Sequence, residues 1–238
     1  MIKIEDIVTP SPSQWLAVIR GMRNPMNSWK KSDSGTYMDE YFDCICFTLG
    51  KEDLKLMQTL AKAGKDHRKF ARMIPVYADI TAPLYWWKEF DTYKVGTVAN
   101  SCSTMHKIHS KEFEVDDFSH ENLYGVDEHP IRLSFDNENP PEPFDSSSVG
   151  CLEIVVSILN YWRKRFLETK EKRCWRQMIE LLPSSYNQKR TVFLNYEVLY
   201  SMYQARKNHK LDEWREFCEE IKKLPYFSEI FEIEDSKT

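Results

Sequence analysis

Apolar residues recur at helical spacing near the start of the chain. The run from Trp15 to Met22 predicts an amphipathic helix, for which Ser13 is a plausible N-cap. A second amphipathic helix is predicted after Gly50, because apolar residues again share one face and Gly64 suits a C-terminal exit.

Two segments combine apolar, aromatic and β-branched residues as strands do. Residues 72–80 predict a strand, with Pro75 favouring its first position or a sheet edge. Residues 41–49 fit either a strand or part of a helix. A short aromatic helix is predicted from Pro83, and the small polar residues of 96–106 predict a loop after it.

The C-terminal half is predominantly helical in pattern. From Gly150 onward, apolar residues keep helical spacing as far as the Leu182-Pro183 step. Two more helices are predicted over 190–207 and 211–223.

We predict one α+β domain over residues 1–238, because no internal repeat and no linker divides the chain. The stretch 114–148 is acidic and rich in proline near its end. We expect it to form an excursion or a lid.

Composition narrows the class of protein. The chain has 238 residues, 42% of them apolar, a mean hydropathy of −0.58 and a net charge of −4. No apolar run approaches the roughly 20 residues of a membrane helix, and residues 1–6 are charged and lack a signal-peptide pattern. We therefore expect a soluble, cytoplasmic protein with no membrane partner. A pI near 5.9 argues against broad, non-specific nucleic-acid binding and leaves a local basic pocket open, and we expect no nucleic-acid partner.

Several kinds of site find little support. The 7 glycines are too few to favour a glycine-rich phosphate loop, and the 6 cysteines show no paired CxxC. Cys44 and Cys46 would share one face of a strand and are most simply half-buried side chains. His106 and His109 are a weak pair, so we expect no metal site.

Small polar side chains follow the aromatic helix at Asn100–Thr104. Such a loop can bind an anion or carry a nucleophile, for which Cys102 is the candidate, or it can be a plain serine-rich turn. Lys189, Arg190 and Arg206 are candidate phosphate ligands, and the alternative for each is a solvated surface charge.

The order of segments resembles the flavin-dependent thymidylate synthases in two blocks. In the first, Ala82-Pro83-Leu84-Tyr85 matches a family step, and residues 92–105 align without a gap to the signature RHRxxSxNExSxRY. The spacing is kept while most of the chemistry is replaced. Lys94 stands for the second arginine, and Cys102 for the serine that is implied at the pyrimidine. Lysine does not reproduce the bidentate phosphate contact of arginine.

The second block runs from Leu182 to about Cys218. The Leu-Pro step, Asn195 and Arg206 match family positions without a gap, whereas a family arginine is replaced by Ile179. His67 is a weaker match to a histidine near the flavin.

The resemblance implies an α+β fold, with an antiparallel sheet and a helical C-terminal half. It also implies binding of FAD and a pyrimidine nucleotide, methylation of dUMP to dTMP, and assembly as a homotetramer. NADPH and methylenetetrahydrofolate would take part only where that activity is retained.

The resemblance assigns roles to individual residues. Cys102 is implied as catalytic, Glu89, Lys94, Ser103 and Arg206 as nucleotide-binding, and His67, Lys94, Asn100 and Asn195 as cofactor-binding. Two alternatives stay open. The chain can be an inactive homologue that binds a nucleotide or supports assembly, or an unrelated helical protein.

Overall fold

A computed structural model describes residues 1–133 and 144–234. The helices are α1 Pro12–Arg23, α2 Lys51–Lys62, α3 Leu84–Phe90, α4 Ser148–Thr169, α5 Lys172–Leu181, α6 Tyr196–Arg206, α7 Asp212–Lys222 and α8 Phe227–Phe231. The strands are β1 Lys3–Val8, β2 Gly35–Asp39, β3 Cys44–Thr48, β4 Pro75–Pro83, β5 Val98–Ser101, β6 Ile131–Leu133, β7 Phe144–Ser146 and β8 Asn187–Asn195.

The chain packs into two compact units that interleave along the sequence. The first comprises residue 1 with 81–88 and 101–189, and the second comprises 2–80, 89–100 and the residues from 190 onward. The prediction of one domain over 1–238 stays a prediction. Of the predicted lid at 114–148, residues 134–143 lie outside the described residues, and the closure of the rest over a site also stays a prediction.

The core of the first unit forms where α4 and α5 pack against each other and against residues 108–118. Leu159 and Met178 are fully buried there. Trp86 and Trp87 are buried as well, and the indole N–H of Trp87 donates to the Gln188 carbonyl at 2.9 Å. The aromatic helix predicted from sequence therefore supplies core side chains. None of the helices in the described ranges, including the 22-residue α4, is both long and apolar enough to cross a membrane.

Strands β1, β4, β8 and β5 form a four-stranded sheet in the order β1-β4-β8-β5. In the second unit, an antiparallel hairpin of β2 and β3 brings Phe47 onto Trp15, with ring centroids 5.5 Å apart. Trp15 also meets Tyr196 and Tyr226 edge to face. Burial raises the pKa of the Tyr196 hydroxyl, which donates to the Pro225 carbonyl at 2.7 Å.

The α+β prediction is confirmed, three local predictions are corrected, and one strand is added. Residues 190–195 belong to β8 and not to a helix over 190–207, because a β-branched and aromatic run pairs between two other strands. The predicted loop of 96–106 contains β5, and β1 was not predicted. Ser11 caps α1 in place of Ser13, its hydroxyl accepting from the Gln14 N–H at 3.4 Å.

The two open points about strands are also decided. The segment 41–49 contains strand β3. Pro75 is the first residue of β4, which lies inside the sheet, so the proline occupies a strand start and not an edge.

A buried carboxylate holds the start of α2 to the end of α1. Asp53 accepts from Arg23 Nε at 2.5 Å, from the Ser32 hydroxyl at 2.8 Å, and from the backbone N–H groups of Asp33 and Ser34 at 3.1 and 3.0 Å. Both members of the ion pair are buried. Burial alone would raise the pKa of Asp53, but hydrogen bonds from Ser34, Ser32 and Arg23 outweigh it and lower the pKa.

Asp53→Asn should lower the free energy of unfolding by about 3–5 kcal/mol, because it leaves the guanidinium of Arg23 buried without an anion. Urea unfolding at neutral pH measures the difference. The matched control is Asp212→Asn, which removes a carboxylate from an exposed pair with Arg215 and should cost less than about 1 kcal/mol.

The cost of Asp53→Asn should also depend on pH. A lowered folded-state pKa gives stability that is fully present above the unfolded-state pKa of about 3.9 and is lost as pH falls through the folded value. The stability difference between wild type and variant should therefore be constant from neutral pH to about pH 5 and shrink in more acidic solution. A difference that stays constant in strong acid would contradict this account.

Candidate functional site

A cleft of about 480 Å³ opens within the second unit. Its lining combines basic side chains with the end of one strand and the start of one helix, and we call it the cationic cleft. The lining residues are Lys65, Arg72, Thr92, Tyr93, Lys94, Val95, Gly96, Asn195, Glu197, Val198 and Ser201. The volume lies in the range of sites for small molecules and cofactors.

Asn195 forms one corner of the cleft by ending β8 and beginning α6 without a linker. Its Oδ1 accepts from the Val198 N–H at 3.0 Å, which makes it the N-cap of α6. The next residue, Tyr196, donates its backbone N–H to the Ile74 carbonyl at 3.1 Å. The first turn of α6 is thereby fixed at the cleft, and its N-terminal end contributes a favourable field for anions.

Gly96 approaches the same asparagine closely. A Cβ on Gly96 would lie 2.7 Å from Asn195 Nδ2, and the residue has a φ of +83°. The carbonyl of Gly96 accepts from that Nδ2 at 3.5 Å. Position 96 therefore needs glycine both for its backbone conformation and for the space beside the corner.

Three cations give the cleft its charge. Lys65, Arg72 and Lys94 all line it and are exposed to solvent. Among the residues that the structure describes, none of the three makes an ion pair with a carboxylate. Their donors remain available, so the cleft is electrostatically suited to an anionic group such as a phosphate.

One carboxylate lines the cleft beside these cations. Glu197 is 6% exposed, and its Oε2 accepts from Arg68 Nε at 2.7 Å. The Arg68 guanidinium lies 5.0 Å from the centroid of the Tyr200 ring. The second oxygen, Oε1, is buried and has no hydrogen-bond partner among the described residues.

Glu89 and Arg206, both predicted as nucleotide ligands, pair with each other. Arg206 Nη1 lies 2.5 Å from Glu89 Oε2, and its guanidinium is 4.8 Å from the Trp214 ring centroid. The Trp214 indole N–H donates to the same carboxylate oxygen at 3.0 Å. His209 Nε2 lies 3.0 Å from Arg206 Nη1 and 3.4 Å from Glu89 Oε2.

Tyr93 connects this cluster to the cleft. Its hydroxyl accepts from Arg206 Nε at 3.0 Å, and Tyr93 lines the cleft. Arg206 thus uses two of its nitrogens inside the protein. As described, it organises aromatic and acidic neighbours, and a role in holding phosphate stays a prediction.

The structure brings two of the predicted cofactor ligands to the cleft, Lys94 and Asn195. His67 is exposed in the turn after α2 and Asn100 is exposed on β5, and neither lines the cleft. Their assignment to a cofactor stays a prediction.

Cys102 and Ser103 belong to the first unit. The Cys102 backbone is held from both sides, its N–H donating to the Lys189 carbonyl at 2.9 Å and its carbonyl accepting from Gln188 Nε2 at 2.8 Å. The thiol is exposed and receives no hydrogen bond from the described residues. The Ser103 hydroxyl accepts from the His106 N–H at 2.8 Å, so it caps a turn.

Sequence reasoning missed Lys65, Arg72 and Glu197 as lining residues. Lys65 follows the predicted exit at Gly64 by one residue, and Arg72 comes just before β4. These two positions indicate a shared site only once the ends of α2 and β4 are known in space. No sequence pattern singled out Glu197, because the helix predicted over 190–207 made it one acidic residue within a helix.

No group of three or more potential metal-binding side chains occurs within residues 1–133 and 144–234.

Comparison with known proteins identifies the fold. The chain matches no protein-family model, and no curated protein is significantly similar in sequence. It is similar in structure to the flavin-dependent thymidylate synthase ThyX from Helicobacter pylori, complexed with FAD and dUMP, with a TM-score of 0.60 and 16% identity over 97% of this chain and 96% of that chain.

Two further solved structures agree. Another structure of Helicobacter pylori ThyX, with FAD and dUMP, gives a TM-score of 0.59 at 15% identity over 97% of this chain and 95% of that chain. The UMP/dUMP methylase PolB from Streptomyces cacaoi, bound with 5-Br dUMP, gives 0.57 at 12% identity over 93% and 88%. The resemblance found in the sequence is therefore confirmed as a shared fold: this chain has the fold of the flavin-dependent thymidylate synthases.

Proposed function

We propose that the protein binds a phosphorylated nucleotide in the cationic cleft. The observation that carries the proposal is the group of Lys65, Arg72 and Lys94, which line one cleft of about 480 Å³ without a carboxylate partner among the described residues. Unpaired cations around a concave site favour a multiply charged anion.

The finer proposal is that the ligands are FAD and a pyrimidine nucleotide, as in a divergent thymidylate synthase-like protein. Its support is that ThyX was solved with FAD and dUMP and PolB with 5-Br dUMP, and that both have this fold. The diphosphate of FAD suits the three cations, which would hold it by charge. When bound, FAD would supply hydride transfer, and the residues of this chain would bind and orient it.

A second candidate function is nucleotide binding or assembly without catalysis. It is favoured by the closed pair of Glu89 with Arg206, since two implied nucleotide ligands satisfy each other and Trp214. Under either function we propose a homo-oligomer, a tetramer in the first case.

The first test measures binding at the cleft. Purified protein should bind FAD or dUMP in equilibrium dialysis, and affinity should fall as salt rises, because the attraction is between exposed charges. Lys94→Gln should weaken binding about tenfold, the usual worth of one charge-assisted contact.

Lys210→Gln is the matched control for this test, since it removes the same charge from an exposed residue outside the cleft. It should leave affinity within about twofold, roughly the scatter of a neutral surface change. Equal effects of the two substitutions, or no binding of either ligand, would refute the proposal.

The second test concerns catalysis and Cys102. We propose that the wild-type chain restores growth to a thymidine-requiring strain, and that Cys102→Ala abolishes growth while nucleotide affinity stays the same. That result would separate a chemical role from a structural one. Growth that persists in the variant would remove Cys102 from the mechanism, and no growth with wild type would favour the non-catalytic function.

A further inference from the structure

We propose that Glu197 reads a sugar hydroxyl of a nucleoside 5′-phosphate in the cationic cleft. The inference rests on the proposed function and deepens it, because it names the part of the ligand that this carboxylate recognises. The cations would take the phosphate, and Glu197 Oε1 would accept a hydrogen bond from the sugar.

The carboxylate is held in a fixed position before any ligand arrives. Glu197 is 6% exposed, and its Oε2 forms an ion pair with Arg68 at 2.7 Å. Arg68 is itself largely buried and lies over the Tyr200 ring. The pair holds the carboxylate in place and supplies the opposite charge that a buried carboxylate needs.

The second carboxylate oxygen of Glu197, Oε1, is buried and has no hydrogen-bond partner among the described residues. A buried polar atom in this state is uncommon, and a charged one is costly, so it calls for a specific partner. Glu197 lines the cleft, and a bound molecule that displaces the atoms now covering Oε1 would supply that partner.

Two uncharged donors that line the cleft are engaged elsewhere. The Ser201 hydroxyl donates to the Glu197 backbone carbonyl at 3.0 Å, and Asn195 Nδ2 donates to the Gly96 carbonyl. Neither side chain therefore donates a hydrogen bond to Oε1, although both line the cleft.

The chemistry of Oε1 limits what can fill this role. An ionised carboxylate only accepts hydrogen bonds, so the ligand must present an O–H or N–H group. A phosphate ion is excluded by repulsion between like charges. In a nucleotide, the sugar is bonded directly to the phosphate, so its hydroxyls are the donors nearest to a phosphate held by Lys94, Lys65 and Arg72. Carboxylates recognise ribose in this way in dinucleotide sites.

The test is a cycle of ligand analogues and variants. The probes are UMP and AMP, each with its 2′-deoxy and 3′-deoxy analogue, titrated by calorimetry against the full chain. For wild type, loss of one of the two hydroxyls should weaken binding about 10- to 100-fold, the range for a hydrogen bond to a charged group.

Glu197→Gln should reduce that selectivity to about threefold or less. The guanidinium of Arg68 only donates, so the amide oxygen must face it and the amide NH2 replaces Oε1. The charge is lost, and with it the larger part of the hydroxyl contribution. Glu216→Gln, on an exposed part of α7, is the control and should leave selectivity unchanged. Lys94→Gln should weaken all analogues by a similar factor, because they share the phosphate.

The outcomes separate this inference from the proposed function. Equal affinity of wild type for all analogues of each nucleotide would overturn the role of Glu197 and leave nucleotide binding intact. Unchanged selectivity in a folded Glu197→Gln, with folding checked by thermal unfolding, would also overturn it. No binding of any probe would overturn the inference, and equilibrium dialysis with FAD and dUMP would then decide the proposed function separately.

Discussion

The cleft depends on one corner of the backbone, the change from β8 to α6 at Asn195. An asparagine can end a strand and cap a helix in one residue, because its side chain replaces the missing acceptor of the first helical turn. The amide nitrogen of the same side chain reaches the Gly96 carbonyl, where no Cβ is tolerated. A strand end, a helix start and a tight loop therefore meet at one side chain, and the cleft lies around them.

The second unit contains both buried ion pairs and exposed cations without a carboxylate partner among the described residues. Asp53 with Arg23 and Glu197 with Arg68 are buried pairs, in which each guanidinium compensates a carboxylate that would otherwise be costly to bury. Lys65, Arg72 and Lys94 remain exposed around the cleft, and no described carboxylate neutralises them. A net charge of −4 for the chain therefore coexists with a locally positive cleft. The net charge of a sequence does not predict the charge of a single site, because burial and ion pairing decide which charges a ligand meets.

The fold persists at 12–16% identity because core packing constrains volume and polarity more than residue identity. Trp86 and Trp87 fill the first unit, while Trp15 and Tyr196 organise the second. Side chains at a ligand site follow a different constraint, since they must match a charge or a donor. The spacing of the signature can therefore be kept while its side chains change. Arg206 pairs with Glu89 inside the protein. Lys94 is the one basic side chain within the signature window, and it lines the cleft.

The sequence by itself determined the elements whose signals are local: the helix after Gly50, a strand that overlaps β4, and the stop at Leu182-Pro183. It also carried the resemblance that implied the fold. It singled out Lys94 and Asn195, which the structure brings to one cleft, and their role as cofactor ligands stays a prediction. Only the tertiary structure decided that 190–195 is a strand, because strand pairing joins segments far apart in sequence. The same holds for Lys65, Arg72 and Glu197. Their chemistry depends on whether packing places a charged or hydrogen-bonding partner beside them. Such a partner is set by distance in space and not by spacing along the chain.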